Sequence, residues 1–160
     1  MKDTKHEIEL RKWLAKIECD LVENVRNFLK ESNIYCKDAN MEESQINNLI
    51  QHSEETKSFE SVKSFIRYQI SRSKEKKQWD FPVKIGNSTQ PFGEFLISRL
   101  DCFYDRKYYR EINDNAKLTG YDESEIFWKL MQLYLGYIKW YFVYEKGQAK
   151  PESEVEYGNR

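Results

Sequence analysis

One hundred and sixty residues carrying 33% charged side chains and a net charge of −1 make one ordinary domain, able to bury about 70% of the surface its unfolded chain exposes. Aromatics at 15% exclude a disordered chain, which lacks such side chains, and six glycines with three prolines argue against a turn-rich β-sandwich. Cys19, Cys36 and Cys102 are odd in number and far apart, which excludes a disulfide scaffold or a CxxC zinc ribbon and fits a reducing cytosol.

The opening MKDTKHEIEL holds no apolar signal core. No apolar run approaches the roughly 18 residues of a membrane span, so the expectation is a cytoplasmic protein with no membrane partner. Residues 6–31 read as a long first helix, because Leu10, Leu14, Ile17, Leu21, Val25 and Phe28 recur at helical steps and Trp13 and Leu29 widen the stripe. Ser32-Asn33 ends it. Asn40 with Glu43 predicts a capping box and a short second helix carrying Ile46, Leu49 and Ile50, broken at His52-Ser53.

A third helix is expected from Ser58 to Gln78, with Phe59, Val62, Phe65, Ile66 and Ile70 on its apolar face. Residues 79–93 hold two prolines and two glycines, so helix stops there. The alternation of Phe81, Val83 and Ile85 leaves room for a short extended stretch. A fourth helix follows from Glu94 and continues through Tyr108, with Phe95, Leu96, Leu100 and Phe103 inward; a loop spans Asn113 to Gly120. Asp122 caps the last helix, over 123–145, with Glu125 three residues on and Tyr121 before it.

That last helix is apolar around most of its circumference, so it is central or covered by a partner. Gly147 and Pro151 stop it, and the tail 147–160 is polar and expected to be disordered. The fold class is therefore all-α: a compact bundle of about five helices in a single domain over 1–146, with one long irregular loop.

The near-zero net charge conceals an uneven distribution. Residues 33–56 carry one cation against five acids, whereas 57–77 carry seven cations against Glu60 and Glu75. On a helix Lys63, Arg67 and Lys74 fall within about 40° of one another beside the apolar face, with Lys77 bordering it and Arg72 and Lys76 nearer the other edge. Cations interleaved with Tyr68 and followed by Trp79 suit phosphate contact and base stacking. Serines 58, 61, 64, 71 and 73 are poor helix formers, and their hydroxyls suit contacts to a phosphate backbone. The plain alternative is a solvated basic helix face.

Catalytic chemistry is thinly provided. His6 and His52 have neither HExxH spacing nor a cysteine partner, and no phosphate-cradling glycine loop or GxSxG elbow occurs. Helical ribonucleases of the higher-eukaryote-and-prokaryote nucleotide-binding class place an Arg about four to six residues before a His, and neither histidine here follows that pattern. The neighbours Glu42-Glu43 and Glu54-Glu55 point about 100° apart on a helix and read as solvated surface. The cysteines read as small buried apolar residues. The aromatic run Phe127, Trp128, Tyr134, Tyr137, Trp140, Tyr141, Phe142 and Tyr144 has the period of a packed helix, so it reads as core plus a subunit interface, with an RNA-stacking platform as the alternative.

Three places resemble the small helical subunit of type III-A CRISPR effector (Csm) complexes. The stretch Met41 to Ile50 (MEESQINNLI) resembles that family's short opening with Ser-Gln-Ile and a helix. Phe65 to Arg72 (FIRYQISR) resembles its Tyr, small residue, Arg pattern in a basic helix. Phe127 to Tyr144 resembles its aromatic C-terminal helix.

The resemblance implies a non-catalytic subunit of antiviral defence, stacked beside a guide–target duplex and touching the RNA backbone while other subunits cut. The expected RNA-binding residues are Lys63, Arg67, Arg72, Lys74, Lys76 and Lys77, with no catalytic residue, metal or cofactor. The expected partners are the guide/target RNA backbone, other subunits of the complex and a further copy through the aromatic helix. A protein-binding helical adaptor without nucleic-acid contact is the second reading. A nuclease with carboxylates converging on a metal is the third.

Overall fold

The computed structural model describes residues 4–102, 114 and 123–148. Five α-helices occur among them: α1 (Thr4–Ser32), α2 (Glu43–Thr56), α3 (Phe59–Arg72), α4 (Phe92–Cys102) and α5 (Glu123–Gln148). The all-α bundle expected from the periodicity is what forms. Helix α5 packs between α1 and α2, while α3 bridges α2 and α4.

Helix α1 buries Leu10, Trp13, Ile17, Leu21, Val25, Phe28 and Leu29, which is the stripe its spacing dictates. Asn33 then turns left-handed (φ 52°) and its N–H closes on Leu29 O at 2.8 Å, a common helix stop. From α5, Ile126, Phe127, Leu130, Met131, Tyr134, Leu135, Ile138 and Phe142 meet that stripe and α2 in one core cluster. The Tyr134 hydroxyl donates to Asn24 Oδ1 at 2.7 Å, so this buried phenol has its polar end satisfied.

Several boundaries differ from the sequence expectation. The cap of α2 is Glu42, whose N–H donates to the Gln45 side chain at 3.0 Å, while Asn40 adopts the left-handed region after a short 3₁₀ turn. His52-Ser53 does not break α2. Ser53 is buried with its hydroxyl donating to Ile50 O at 2.7 Å, and the helix runs to Thr56, where Lys57 (φ 48°) ends it. Gly147 lies inside α5, and Cys19 and Cys102 are exposed instead of buried.

The expected irregular loop over 79–93 is largely a hairpin. Strands β1 (Pro82–Ile85) and β2 (Ser88–Pro91) pair antiparallel across Gly86-Asn87. Gly86 has φ 60° while Asn87 is not in the positive-φ region, the sign pattern of a two-residue II′ turn. Only Val83 of β1 is buried, and β1 lies against α1 and α4. Phe92 N–H to Phe81 O (2.8 Å) closes the hairpin base and starts α4 two residues earlier than expected.

Gly93 in the first turn of α4 is buried against α3. A Cβ there would stand 2.6 Å from Ile70 Cδ1 and 2.8 Å from Ile66 Cγ2, so the missing side chain lets the two helices approach. The continuation of α4 through Tyr108, the Asp122 cap with Tyr121 and the tail from residue 149 lie outside the described residues, as does the expected loop over 113–120 except Asp114, which is helical and not loop.

Candidate nucleic-acid interface

The basic segment is not one helix to Gln78. Helix α3 begins at Ser58, whose hydroxyl accepts from Ser61 N–H at 3.2 Å, and ends at Arg72. The serines assist the ending. Ser71 Oγ donates to Tyr68 O (2.7 Å) and Ser73 Oγ to Gln69 O (2.8 Å), so hydroxyls satisfy carbonyls at the last turn and Ser73 leaves in extended geometry. The chain then makes a tight turn closed by Lys77 N–H to Lys74 O at 3.3 Å, with positive φ at both Glu75 and Lys76. Gln78 is also left-handed, and the following 3₁₀ turn carries Trp79 into the core at 1% exposure.

Positive φ costs an L-residue roughly 1–2 kcal/mol. Three such residues in four positions persist only because both ends are fixed, by α3 on one side and by Trp79 on the other.

Of the six expected RNA-binding residues, three have acidic partners. Lys63 Nζ lies 2.8 Å from Glu60 and 4.0 Å from Asp101, with its side chain only 18% exposed. The hydrogen bond raises the Lys63 pKa, and the same contact lowers that of Glu60. Lys63 also sits 4.7 Å from the Phe59 ring centroid. Arg67 Nε meets Glu94 Oε1 at 3.1 Å, a link from α3 to α4, and Lys77 Nζ lies 3.8 Å from Glu75. Exposed pairs of this kind are worth at most about 1 kcal/mol, but each directs its cation to an internal carboxylate.

The other three form the outer end of the segment. Lys74 and Lys76 are exposed with no acidic partner among the described residues, and Arg72 packs its guanidinium over Tyr68, 5.6 Å from the ring centroid. Tyr68 itself is 57% exposed. Of the six, Arg72 thus ends α3 beside the Tyr68 ring, and Lys74 and Lys76 lie on the turn that follows and not on a helix edge. Glu60, three residues before Lys63, was a legible partner in the sequence; Glu94 and Asp101 reach Arg67 and Lys63 only through the α3–α4 packing.

The acidic stretch before this segment also finds partners. Lys146 Nζ lies 3.3 Å from Glu42 and donates to Met41 O at 2.6 Å, and Lys139 Nζ lies 3.9 Å from Glu43. The end of α5 is thereby tied to the start of α2. Outside these links α5 leaves Trp140 (66%), Val143 and Tyr144 exposed, one apolar stripe at helical spacing.

An open cleft of about 800 Å³ runs along α1 and α5, lined among others by Glu18, Cys19, Glu23, Arg26, Tyr141 and Glu145. Among the described residues its lining holds no histidine to act on the Cys19 thiol. Nearby, Tyr137 donates to Glu18, and burial together with that carboxylate pushes its pKa up to about 12. His52 Nε2 stands 3.0 Å from Ser61 Oγ and 3.3 Å from Ser61 O, with its ring 4.5 Å from Phe65. The carbonyl can only accept, so a proton on Nε2 serves both oxygens and the pair joins α2 to α3 instead of activating the serine. Among the described residues no cluster of three or more His, Cys, Asp or Glu could hold a metal ion, and no helix is long and apolar enough to cross a membrane.

No protein-family model matches the chain, and neither a curated protein nor a solved structure matches it.

Proposed function

We propose that this chain is a non-catalytic small subunit of a type III-A CRISPR RNA-guided effector complex in the cytoplasm, binding the guide/target RNA backbone and neighbouring subunits. The observation that carries the RNA contact is the exposed group Arg72, Lys74 and Lys76, free of carboxylate partners among the described residues. Lys63, Arg67 and Lys77 are held by Glu60, Glu94 and Glu75, so their charge is largely offset and the outer group carries the reading. Assignment to this class of complex rests on the likeness of residues 41–50, 65–72 and 127–144.

Salt-titrated RNA binding by the full chain tests the reading. Three neutralised phosphates give a log–log slope of about 2 for single strands, so a fourfold rise in salt weakens binding about twentyfold. Replacing Arg72, Lys74 and Lys76 together by Ala is expected to remove most of that slope without lowering thermal stability. A variant that keeps RNA with the parental slope overturns the proposal.

The exposed Trp140, Val143 and Tyr144 support the subunit contact and equally favour the adaptor reading. Incorporation of Trp140→Glu into the reconstituted complex is expected to fall at least about tenfold, the scale of a buried aromatic anchor. Loss of assembly in a chain that never retains RNA would select the adaptor; unchanged incorporation would remove this stripe from the interface.

A further inference from the structure

We propose that Tyr68 is a stacking platform for an unpaired base, so that the α3 end takes an unpaired segment of the guide or target RNA in preference to their paired stretch. This rests on the RNA reading above and specifies the form of RNA that the face selects. Three features of the structure converge on it. The Tyr68 ring is more than half exposed although it lies on a helix whose other large apolar residues, Phe59, Val62, Phe65, Ile66 and Ile70, pack on the core. Its ring is braced by Arg72, four residues on, whose guanidinium lies over it. A cation on an aromatic ring fixes the ring's attitude and extends the flat surface offered to a base.

Two further cations follow in the chain. Lys74 and Lys76 come two and four residues after Arg72, raised on a turn whose left-handed residues hold its shape. Glu75, the acid between them, is directed to Lys77. An aromatic face followed in sequence by cations with no acidic partner among the described residues has the make-up of a single-strand-binding surface, on which bases stack and phosphates pair without sequence reading. In a duplex the bases are already stacked on one another, and Tyr68 has no face to meet.

Fluorescence anisotropy of the full chain with labelled oligouridylate of about 12 nucleotides, and with a blunt RNA duplex of the same length, tests this. Tyr68→Ala is expected to weaken the single strand about tenfold and to change the duplex by less than about twofold, the scale of one lost stack. Tyr68→Phe, which keeps the ring, is expected to stay within about threefold of the parent for both. Equal weakening of both forms, no weakening, or Phe behaving as Ala overturns the stacking role. In that case salt-dependent binding by the parent chain leaves the backbone reading standing. Absence of any RNA binding by the parent removes both.

Discussion

Trp79→Ala is expected to destabilise the fold by about 3–5 kcal/mol, the range for emptying a large buried aromatic site. Trp79 is the largest of the fully buried side chains among the described residues, and its ring lies 5.8 Å from Phe92, which in turn lies 5.5 Å from Phe28. The residue therefore ties the segment after the basic turn to both α4 and α1. Its indole Nε1 has no hydrogen-bond partner among the described residues. An unsatisfied buried donor costs about 1–3 kcal/mol, so Trp79→Phe, which removes the donor and keeps an aromatic ring, is expected to lose no more than about 1.5 kcal/mol. Denaturant midpoints at unchanged slope measure both losses. RNA affinity is expected to fall in the Ala variant even where it remains folded, because the left-handed residues at 75, 76 and 78 lose one of their anchors. Equal stability of the two variants would show that the ring's volume does not hold the turn.

Gly93→Ala is the second large effect, about 1–3 kcal/mol of destabilisation from overpacking. The added methyl meets Ile70 Cδ1 at 2.6 Å, Ile70 Cγ1 at 2.7 Å and Ile66 Cγ2 at 2.8 Å, so α3 and α4 must part or the isoleucines must leave their rotamers. Ile70→Ala removes two of those three atoms. The double variant is accordingly expected to be more stable than the sum of the single losses predicts, by at least about 0.5 kcal/mol in a double-mutant cycle. Simple additivity would mean that the helices separate without resistance at this point. The same close approach brings Glu94 within reach of Arg67.

The helices were legible because their apolar residues keep a 3.6-residue period over many turns. Leu10 to Leu29 specify α1, and Ile126 to Phe142 specify α5. What escaped the sequence is local chemistry that overrides periodicity. The end of α3 is set by Ser71 and Ser73 bonding to its last carbonyls and by burial of Trp79, whereas the sequence expectation carries the helix on to Gln78. The hairpin had a readable signal in Gly86-Asn87, but three alternating residues on one side were too short a stretch to assign both strands.

The candidate interface was legible as composition and not as arrangement. Seven cations in 57–77 stand in the sequence, yet only the bundle shows that Glu94 and Asp101 engage two of them and that the outer group has no acidic partner among the described residues. Glu42 and Glu43 are the reverse case. They read as solvated acids and are exposed, and only the bundle shows that they also meet Lys146 and Lys139 from more than ninety residues away.

The two-stranded hairpin has one further consequence, for colloidal behaviour. A sheet of only two strands leaves main-chain donors and acceptors along its rims that another molecule could extend. Here Pro82 and Pro91, which lack N–H groups, stand opposite each other at one end of the ladder, and the exposed Lys84 adds charge to β1. Such gatekeepers disfavour the addition of a further strand at that end of the ladder.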